Sequence, residues 1–267
     1  MKYKVGFIGA GNMGGAIMKG IKGSRMSDDI ALFAYDSYEP ALQKAADIGA
    51  TPLSGEAEVV SWCDYIFLAI KPQQLDEVLA KIKDAMSPEK VIISICAGIT
   101  DDYIAERTVA GAKVVMVMPN TPLLLGEGAT ALAKSDSVTE DEFTLVQNIF
   151  GSCGICAVLP KDKMKEVIAI NGSSPAFIYL YAQYFIDYAK SVGIDEKAAT
   201  DLFAKSLIGS ARMITDSGKT IDELITMVSS KGGTTIAGLD KLRANSLDKA
   251  VKECCEACTA RAYELAK

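Results

Sequence analysis

The sequence predicts an α/β N-terminal domain built on a mostly parallel sheet, followed by an all-α C-terminal domain. From the start of the chain to about residue 160, short apolar runs alternate with amphipathic stretches, which is the pattern of successive β-α units. After Pro160 long helical stretches follow, and almost nothing there has the pattern of a strand. We therefore predict two domains, over residues 1–160 and 161–267 of the chain.

Five apolar runs of the first part are each short, rich in β-branched or aromatic residues and followed by turn or helix signals. This pattern favours buried strands over buried helices. The runs cover residues 5–8, 30–35, 65–70, 91–96 and 114–118. Thr139 followed by Glu142 is a capping-box pattern, which predicts a helix from there to about Phe150.

The second part contains the predicted helices, over residues 161–169, 175–191, 196–215, 221–227 and 246–266. The stretch 175–186 is apolar nearly all round. A helix without a polar face must be covered on every side, and a domain this small cannot supply the cover alone. We therefore expect a homo-oligomer, at least a dimer.

Charge and hydropathy exclude several classes of protein. The net charge is −6 and no Lys/Arg-rich run occurs, which argues against nucleic acid or an anionic membrane as a partner. No apolar stretch approaches the ~20 residues that cross a bilayer. The apolar run at the N-terminus leads directly into a glycine loop, so we interpret it as a strand and not as a signal peptide, and expect a cytoplasmic protein.

Seven cysteines and no histidine limit the chemistry of the chain. The pairs Cys153/Cys156 and Cys255/Cys258 have the spacing of zinc ligands. The first pair lies in an apolar strand-like run and the second on a helix, so we expect reduced, largely buried thiols and no metal, with zinc as the alternative. Without histidine the chain lacks the commonest general acid and base.

A glycine-rich turn is the first candidate site. Gly9, Gly11 and Gly14 form G-x-G-x-x-G, with Asn12 and Met13 between the last two, directly after a predicted strand and before a helix. In that context the glycines permit a tight turn, and the helix N-terminus attracts a pyrophosphate. The motif predicts a Rossmann dinucleotide-binding domain; the alternative is a glycine turn without a ligand.

An acidic residue at the end of the second predicted strand bears on the choice of coenzyme. Asp36, followed by Ser37, lies about 20 residues after Gly14, as expected for a carboxylate that accepts hydrogen bonds from the adenosine ribose. A carboxylate there favours NADH, because the 2′-phosphate of NADPH would meet a like charge. The alternative is an aspartate that only caps the helix predicted from Ser37 to Ile48.

Three further motifs carry a resemblance to a known family. They are Ala-Ile-Lys-Pro at 69–72, Met-Pro-Asn-Thr-Pro at 118–122 and Ser-Ser-Lys-Gly-Gly-Thr-Thr at 229–235. In their order, spacing and total length they resemble pyrroline-5-carboxylate reductase over essentially the whole chain. The resemblance implies NAD(P)H-dependent reduction of 1-pyrroline-5-carboxylate to L-proline, the last step of proline biosynthesis. It also implies a helical dimerisation domain, with each active site completed by the neighbouring subunit.

The resemblance also implies site residues by position. The cofactor would be lined by Ala69, Ile70, Lys71, Pro72, Cys96, Ala97, Gly98 and Asn120, together with the glycine turn and Asp36. The substrate would be held by Ser230, Gly232, Gly233, Thr234 and Thr235.

The chemistry of the last loop agrees with this expectation. A loop of Ser and Gly residues that enters a helix at Thr235 presents unpaired N–H groups, which suit a carboxylate. Reduction of an imine needs a hydride on carbon and a proton on nitrogen. We expect the Thr235 hydroxyl to act as the catalytic group at the ring nitrogen, and a substrate that arrives already protonated removes the need for histidine.

Two departures from the family pattern bear on the choice of substrate. Lys231 stands where the family usually has proline, which adds a positive charge and flexibility beside the expected carboxylate site. Residues 171–177 read Asn-Gly-Ser-Ser-Pro-Ala-Phe where the family usually has G-S-G-P-A-Y, so Ser174 replaces a glycine and Phe177 lacks a hydroxyl. An altered loop would allow a related cyclic imino acid as substrate.

Two other functions remain as alternatives. A 3-hydroxyacid dehydrogenase of the 6-phosphogluconate-like type would use a lysine on an interdomain helix, and Lys163 and Lys165 are near that place, but the glycines that should precede them are missing. A non-catalytic nicotinamide-binding sensor would keep the glycine turn but has no need of a loop for a substrate anion.

Overall fold

The computed structural model describes residues 1–265. Two compact units are present: the first comprises residues 1–175 together with 258–265, and the second comprises residues 176–257. Residues 161–175 thus pack within the first unit, while the domain boundary at Pro160 stays a prediction. The ends of the predicted last helix and of the predicted second domain, at 266 and 267, lie outside the described residues.

The first unit is built on one sheet, which has eight strands among the described residues. The strands are β1 (Tyr3–Ile8), β2 (Ile30–Tyr35), β3 (Thr51–Pro52), β4 (Tyr65–Leu68), β5 (Val91–Ser94), β6 (Lys113–Met118), β7 (Gly128–Lys134) and β8 (Gly154–Val158). Their order is β3-β2-β1-β4-β5-β6-β7-β8. All neighbours run parallel except β6 and β7, so the prediction of a mostly parallel sheet is confirmed.

All five predicted strands form, but two of them end early. β4 stops at Leu68 and β5 at Ser94, two residues before the ends of the predicted runs. The strand-like run near Cys156 is β8, as expected. The sequence reading missed β3, which has only two residues, and β7, whose small and polar residues resemble a loop.

Helices cover both faces of the sheet. They are α1 (Asn12–Gly23), α2 (Glu39–Ile48), α3 (Glu56–Trp62), α4 (Leu75–Ile82), α5 (Asp101–Arg107) and α6 (Glu140–Gly151). Buried side chains of α1, α2 and α6 pack on one face, and those of α3, α4 and α5 pack on the other. The predicted capping box forms: Glu142 donates its N–H to Thr139 Oγ1 (3.3 Å), and Thr139 donates its N–H to Glu142 Oε2 (2.9 Å).

The position of β1 decides where a ligand can bind. β1 pairs with β2 on one side and with β4 on the other, so the strand order reverses at β1. The connections that leave β1 and β4 therefore go to opposite faces and open a crevice at the carboxyl ends of these strands. The aromatic rings of Phe7 on β1 and Phe67 on β4 stack at 4.4 Å between centroids and hold the two strands together below this crevice.

The prediction of one helix over residues 161–169 is wrong. A 3-10 turn covers Lys161–Lys163 and a π-helical turn covers Ile168–Gly172. The i, i+4 spacing of Met164 and Ile168 imitates a helix, because both side chains are buried against β6 and β7. The Asn171 amide then donates to the carbonyls of Met118 (2.7 Å) and Ala129 (3.0 Å), and this tertiary attachment fixes the wider turn.

The remaining helices agree with the prediction. They are α7 (Ser174–Ser191), α8 (Glu196–Asp216), α9 (Ile221–Met227), α10 (Thr234–Ala244) and α11 (Leu247–Leu265). The four ranges predicted after residue 170 match α7, α8, α9 and α11 within one residue at each end that the structure describes. The helix α10 is the one expected after the Ser/Gly loop. Residues 176–257 contain helices and turns without a strand, so the helical character of this part is confirmed.

The second unit has almost no core of its own. Within its described residues, 176–257, the buried side chains are Ala189 and Ala199. Large apolar side chains are exposed instead, including Tyr184 and Tyr188 on α7 and Leu202, which is 70% exposed, on α8. Exposed apolar patches of this extent mark an interface.

No described helix is both long and apolar enough to span a membrane.

The bare apolar faces predict that the isolated chain does not persist as a monomer. Light scattering at low protein concentration should give at least twice the mass of one 28.4 kDa chain. Leu202→Glu should weaken assembly about tenfold or more, because burying a leucine contributes about 1.5–3 kcal/mol. Lys197→Gln, at an exposed position on the same helix, is the matched control. An active, stable species with the mass of one chain would contradict the prediction.

Candidate functional site

The glycine turn after β1 is packed backbone against backbone. Gly9 has φ +100°, and a Cβ at this position would overlap the Ala69 carbonyl oxygen at the end of β4. A Cβ on Gly14 would lie 2.5 Å from the carbonyl oxygen of Gly9. Both positions thus need glycine for the turn itself. Gly11 differs, since a Cβ there would meet no atom within 4 Å.

Open space over Gly11 coincides with an open helix end. Gly11 is the N-cap of α1, and no side chain within residues 1–265 caps this end through a hydrogen bond. The N–H groups of the first turn, at Asn12, Met13 and Gly14, are therefore available to an anion, which the helix dipole also attracts. A pyrophosphate fits this arrangement.

Asp36 ties the end of β2 to the glycine turn. Its Oδ2 accepts a hydrogen bond from the backbone N–H of Ala10 (2.7 Å), and its Oδ1 accepts one from the N–H of Tyr38 (2.8 Å). The second bond is local and does not cap the following helix, because the N-cap of α2 is Tyr38 and this end has no side-chain cap, so the capping alternative is wrong. The bond from Ala10 joins the loop after β1 to the loop after β2, so Asp36 lies beside the glycine turn. Each carboxylate oxygen retains a further acceptor site.

The loops after β4 and β5 are joined by Cys96. Its thiol is buried and donates to the carbonyls of Ile70 (3.4 Å) and Leu68 (3.8 Å). Burial raises the pKa of Cys96 to about 11, so the thiol stays protonated and remains a donor at neutral pH. Gly98 follows with φ +81°, a conformation that favours glycine.

One cleft of about 220 Å³ brings together many of the residues selected from the sequence. It opens at the carboxyl ends of β1, β2 and β4. The predicted residues that line it are Gly9, Gly11, Asp36, Ser37, Ala69, Ile70 and Lys71. Glu56 and Gln74 line the same cleft, and sequence reasoning missed both. Glu56 begins α3, with three residues between it and the end of β3, a strand too short to recognise, so no motif drew attention to it.

A neighbouring cavity of about 240 Å³ lies at the ends of β5 and β6. Cys96 and Gly98 line it, together with Ser94, Thr100, Met118, Lys161, Lys165 and Tyr263. Lys161 forms an ion pair with the buried Asp101 (2.8 Å), and this hydrogen bond raises the pKa of Lys161. The cavity continues the carboxyl edge of the sheet beyond the first cleft.

Other predicted cofactor residues have visible roles in the fold. Met13 packs partly buried against the core on the α1 side of the sheet. The buried Asn120 accepts a hydrogen bond from the N–H of Ala129 (2.9 Å) and so joins β6 to β7. Ala97 is exposed and Pro72 begins a 3-10 turn, and neither lines the cleft.

The Ser/Gly loop of the second unit ends in an open helix N-terminus. Gly233 is the N-cap of α10, without a side-chain cap among the described residues. Gly232 has φ +75°, and a Cβ on Gly233 would lie 2.5 Å from Ser230 Oγ. The helix starts at Thr234, one residue before the predicted position. The side chains of Thr234 and Thr235, its first two residues, are exposed. This loop has the free N–H groups that suit a carboxylate.

Lys231 and Ser174, the two departures from the family pattern, lie in different surroundings. Lys231 is exposed in the loop before α10. Ser174 begins α7, and its hydroxyl lies 3.5 Å from the Asn171 carbonyl oxygen, to which it donates. Ser174 does not line the cleft at β1, β2 and β4.

The cysteines are all free thiols. Cys153 is buried, and Cys156 is partly buried with its pKa raised to about 11 by burial. Groups of three or more His, Cys, Asp or Glu side chains arranged to hold a metal ion do not occur in the part of the chain that the structure describes.

Two family models match the chain. Residues 161–265 match the model described as pyrroline-5-carboxylate reductase dimerisation. Residues 4–98 match the model described as NADP oxidoreductase, coenzyme F420-dependent.

Relatives match over the full length. The chain is 34% identical to pyrroline-5-carboxylate reductase of Methanosarcina acetivorans over 99% of this chain and 98% of the relative. It is 32% identical to the enzyme of that name from Escherichia coli over the whole of both chains. A solved structure of Plasmodium falciparum pyrroline carboxylate reductase with NADP bound superposes with a TM-score of 0.89 at 31% identity, covering 100% of both chains. The chain therefore belongs to the pyrroline-5-carboxylate reductase family.

Proposed function

We propose that this chain reduces 1-pyrroline-5-carboxylate to L-proline with NAD(P)H, the last step of proline biosynthesis. The observation that carries the proposal is the uncapped N-terminus of α1 beneath Gly11, at the point where the strand order reverses. This is the arrangement that receives a dinucleotide pyrophosphate. It occurs in a chain that matches pyrroline-5-carboxylate reductases from end to end.

The lining of the cleft indicates which residues would contact the coenzyme. The N–H groups of Asn12, Met13 and Gly14 hold the pyrophosphate, while the ends of β2 and β4 hold the adenosine. The Plasmodium falciparum relative binds NADP. In this chain Asp36 favours NADH, because its carboxylate accepts hydrogen bonds from the ribose hydroxyls and repels a 2′-phosphate.

The coenzyme, when bound, supplies a hydride to the imine carbon. The Ser230–Thr235 loop binds the substrate: the N–H groups at the start of α10 hold the carboxylate, and Lys231 adds a positive charge beside it. The Thr235 hydroxyl forms a hydrogen bond at the ring nitrogen and keeps its proton in place as the carbon is reduced. One hydride and one proton convert the C=N bond to the CH–NH of proline.

The chain forms homo-oligomers through its C-terminal part. The dimerisation model covers residues 161–265, and the apolar side chains of α7 and α8 are exposed within one chain. We propose further that the neighbouring subunit contributes the Ser230–Thr235 loop to each active site. A partner would then both cover the apolar faces and complete the site.

Absorbance at 340 nm tests the function directly. Purified protein should consume NADH when 1-pyrroline-5-carboxylate is added, with kcat/KM for NADH about 5- to 30-fold above that for NADPH. A sensor would bind the coenzyme without consuming it, and a 3-hydroxyacid dehydrogenase would instead oxidise a hydroxy acid with NAD. Absence of turnover with both coenzymes on this imine and on related cyclic imino acids would refute the proposal.

Gly11→Ala should separate coenzyme binding from folding. The new methyl group meets no protein atom within 4 Å, so the Tm should stay within a few degrees of wild type, but it fills the space that the pyrophosphate needs. Coenzyme affinity, measured by calorimetric titration, should fall about tenfold or more. Gly23→Ala is the matched control, since its Cβ would also meet no atom within 4 Å and Gly23 is the last residue of α1, outside the cleft. Equal coenzyme affinity of Gly11→Ala and wild type would contradict the placement of the pyrophosphate.

Thr235→Val should test the group at the imine nitrogen. Valine keeps the branched shape and removes the hydroxyl, so folding and coenzyme binding should survive while kcat/KM for the imine falls about 10- to 100-fold. A fall mainly in kcat would place the hydrogen bond in the transition state, and a rise mainly in KM would place it in substrate binding. Thr234→Val, at the preceding exposed position, is the control and should change kcat/KM less. Full activity of a stably folded Thr235→Val variant would remove Thr235 from the mechanism.

A further inference from the structure

The cleft at the ends of β1, β2 and β4 contains a second carboxylate. Glu56 is the first residue of α3 and lines the cleft together with Asp36. β3 lies beside β2 in the sheet, so the connections that follow these two strands lie at the same edge and bring the two acidic residues together. Lys71 is the single cationic residue among the described residues that line this cleft.

Lys81, which does not line the cleft, holds the Glu56 side chain in position. Lys81 Nζ lies 3.0 Å from Glu56 Oε1 and 2.9 Å from Glu77 Oε1. The Glu56 side chain is only 14% exposed, so it is held in place and does not extend freely into solvent. The hydrogen bonds to Glu77 and Glu56 raise the pKa of Lys81, which remains a cation. Because Lys81 is shared by two carboxylates, its one charge does not neutralise both.

The two acidic residues differ in how many of their carboxylate oxygens already accept a hydrogen bond. Both oxygens of Asp36 accept backbone N–H groups, from Ala10 and Tyr38. Glu56 is engaged through Oε1 to Lys81. An adenosine ribose with a free 2′,3′-diol offers two O–H donors, which suit a cleft rich in carboxylate acceptors. A 2′-phosphate instead brings a charge of about −1.5 to −2 into the same space.

We propose that Glu56 is a further specificity-determining residue, which acts with Asp36 to accept the ribose diol of NADH and to exclude the 2′-phosphate of NADPH. The inference rests on the proposed function, in that the cleft is taken to hold the adenosine end of a nicotinamide dinucleotide. It adds a residue from the β3–α3 connection to the aspartate of the dinucleotide motif. Lys81 is a positioning residue in this arrangement, because it contacts Glu56 and does not line the cleft.

Glu56→Gln tests the proposal, with affinities for NADH and NADPH measured by calorimetric titration on the full-length protein. Glutamine keeps the size and the acceptor oxygen and removes the charge. The affinity for NADPH should rise about 3- to 10-fold, while that for NADH stays within about threefold. Glu58→Gln is the matched control: Glu58 lies on the same helix, accepts from Ser54 (2.7 Å) and does not line the cleft.

Salt dependence gives a second readout, which a merely structural role of Glu56 would not change. In the wild type, discrimination against NADPH should weaken between about 50 and 500 mM salt, because ions screen the repulsion. In Glu56→Gln this weakening should be smaller. An unchanged ratio of NADPH to NADH affinity in Glu56→Gln, or an equal shift in Glu58→Gln, would overturn the role of Glu56.

The binding assay also separates this inference from the proposed function. Coenzyme titration needs no pyrroline substrate, so an unchanged affinity ratio together with normal imine reduction would overturn the role of Glu56 alone. The expected shift in affinity without imine reduction would support Glu56 and refute the proposed reaction. Failure of the wild type to bind either coenzyme would overturn both.

Discussion

The close backbone contact between Gly9 and Ala69 is the constraint on which the site depends. β1 and β4 are neighbours because the strand order reverses at β1, and the chain leaving β1 must pass the Ala69 carbonyl with no room for a side chain. Gly14 then packs on the carbonyl of Gly9, which sets the start of α1. Two tertiary hydrogen bonds complete the arrangement: Ala10 donates to Asp36, and the Cys96 thiol donates to Ile70. The geometry of the cleft is therefore set mainly by backbone contacts.

Electrostatics divides the cleft into two parts with opposite preferences. The uncapped start of α1 offers backbone N–H groups and the positive end of the helix dipole, both of which favour an anion. At the ends of β2 and β3, Asp36 and Glu56 present carboxylates, which disfavour one. Both regions border the same small cleft. The proposed preference for NADH rests on this division, because a dinucleotide with a pyrophosphate and a free ribose diol matches both parts.

The second unit differs from the first in how little of its apolar surface is buried within the chain. Its helices form where propensity and capping predict, as at Thr220, whose hydroxyl and Glu223 form a capping box before α9. Yet in residues 176–257 only two alanines are buried, and hydrophobic burial supplies most of the stability of a fold. The aromatic rings of Tyr181, Phe185 and Phe203 contact one another, yet Tyr181 remains 39% and Phe185 43% exposed. Membership of a family with a dimerisation domain over this region accounts for the missing cover.

The sequence by itself determined most of the local structure: five strands from β-branched runs, the longer helices from their period and caps, and the glycine turn from its motif. It also identified the family, because three separated motifs keep their order and spacing. Only the tertiary structure decided what depends on neighbours distant in the chain. The segment after Pro160 folds as two short turns and not as one helix, because Asn171 binds the carbonyls of Met118 and Ala129. Glu56 reaches the cleft only because the two-residue strand β3 lies beside β2, a pairing that local pattern cannot reveal.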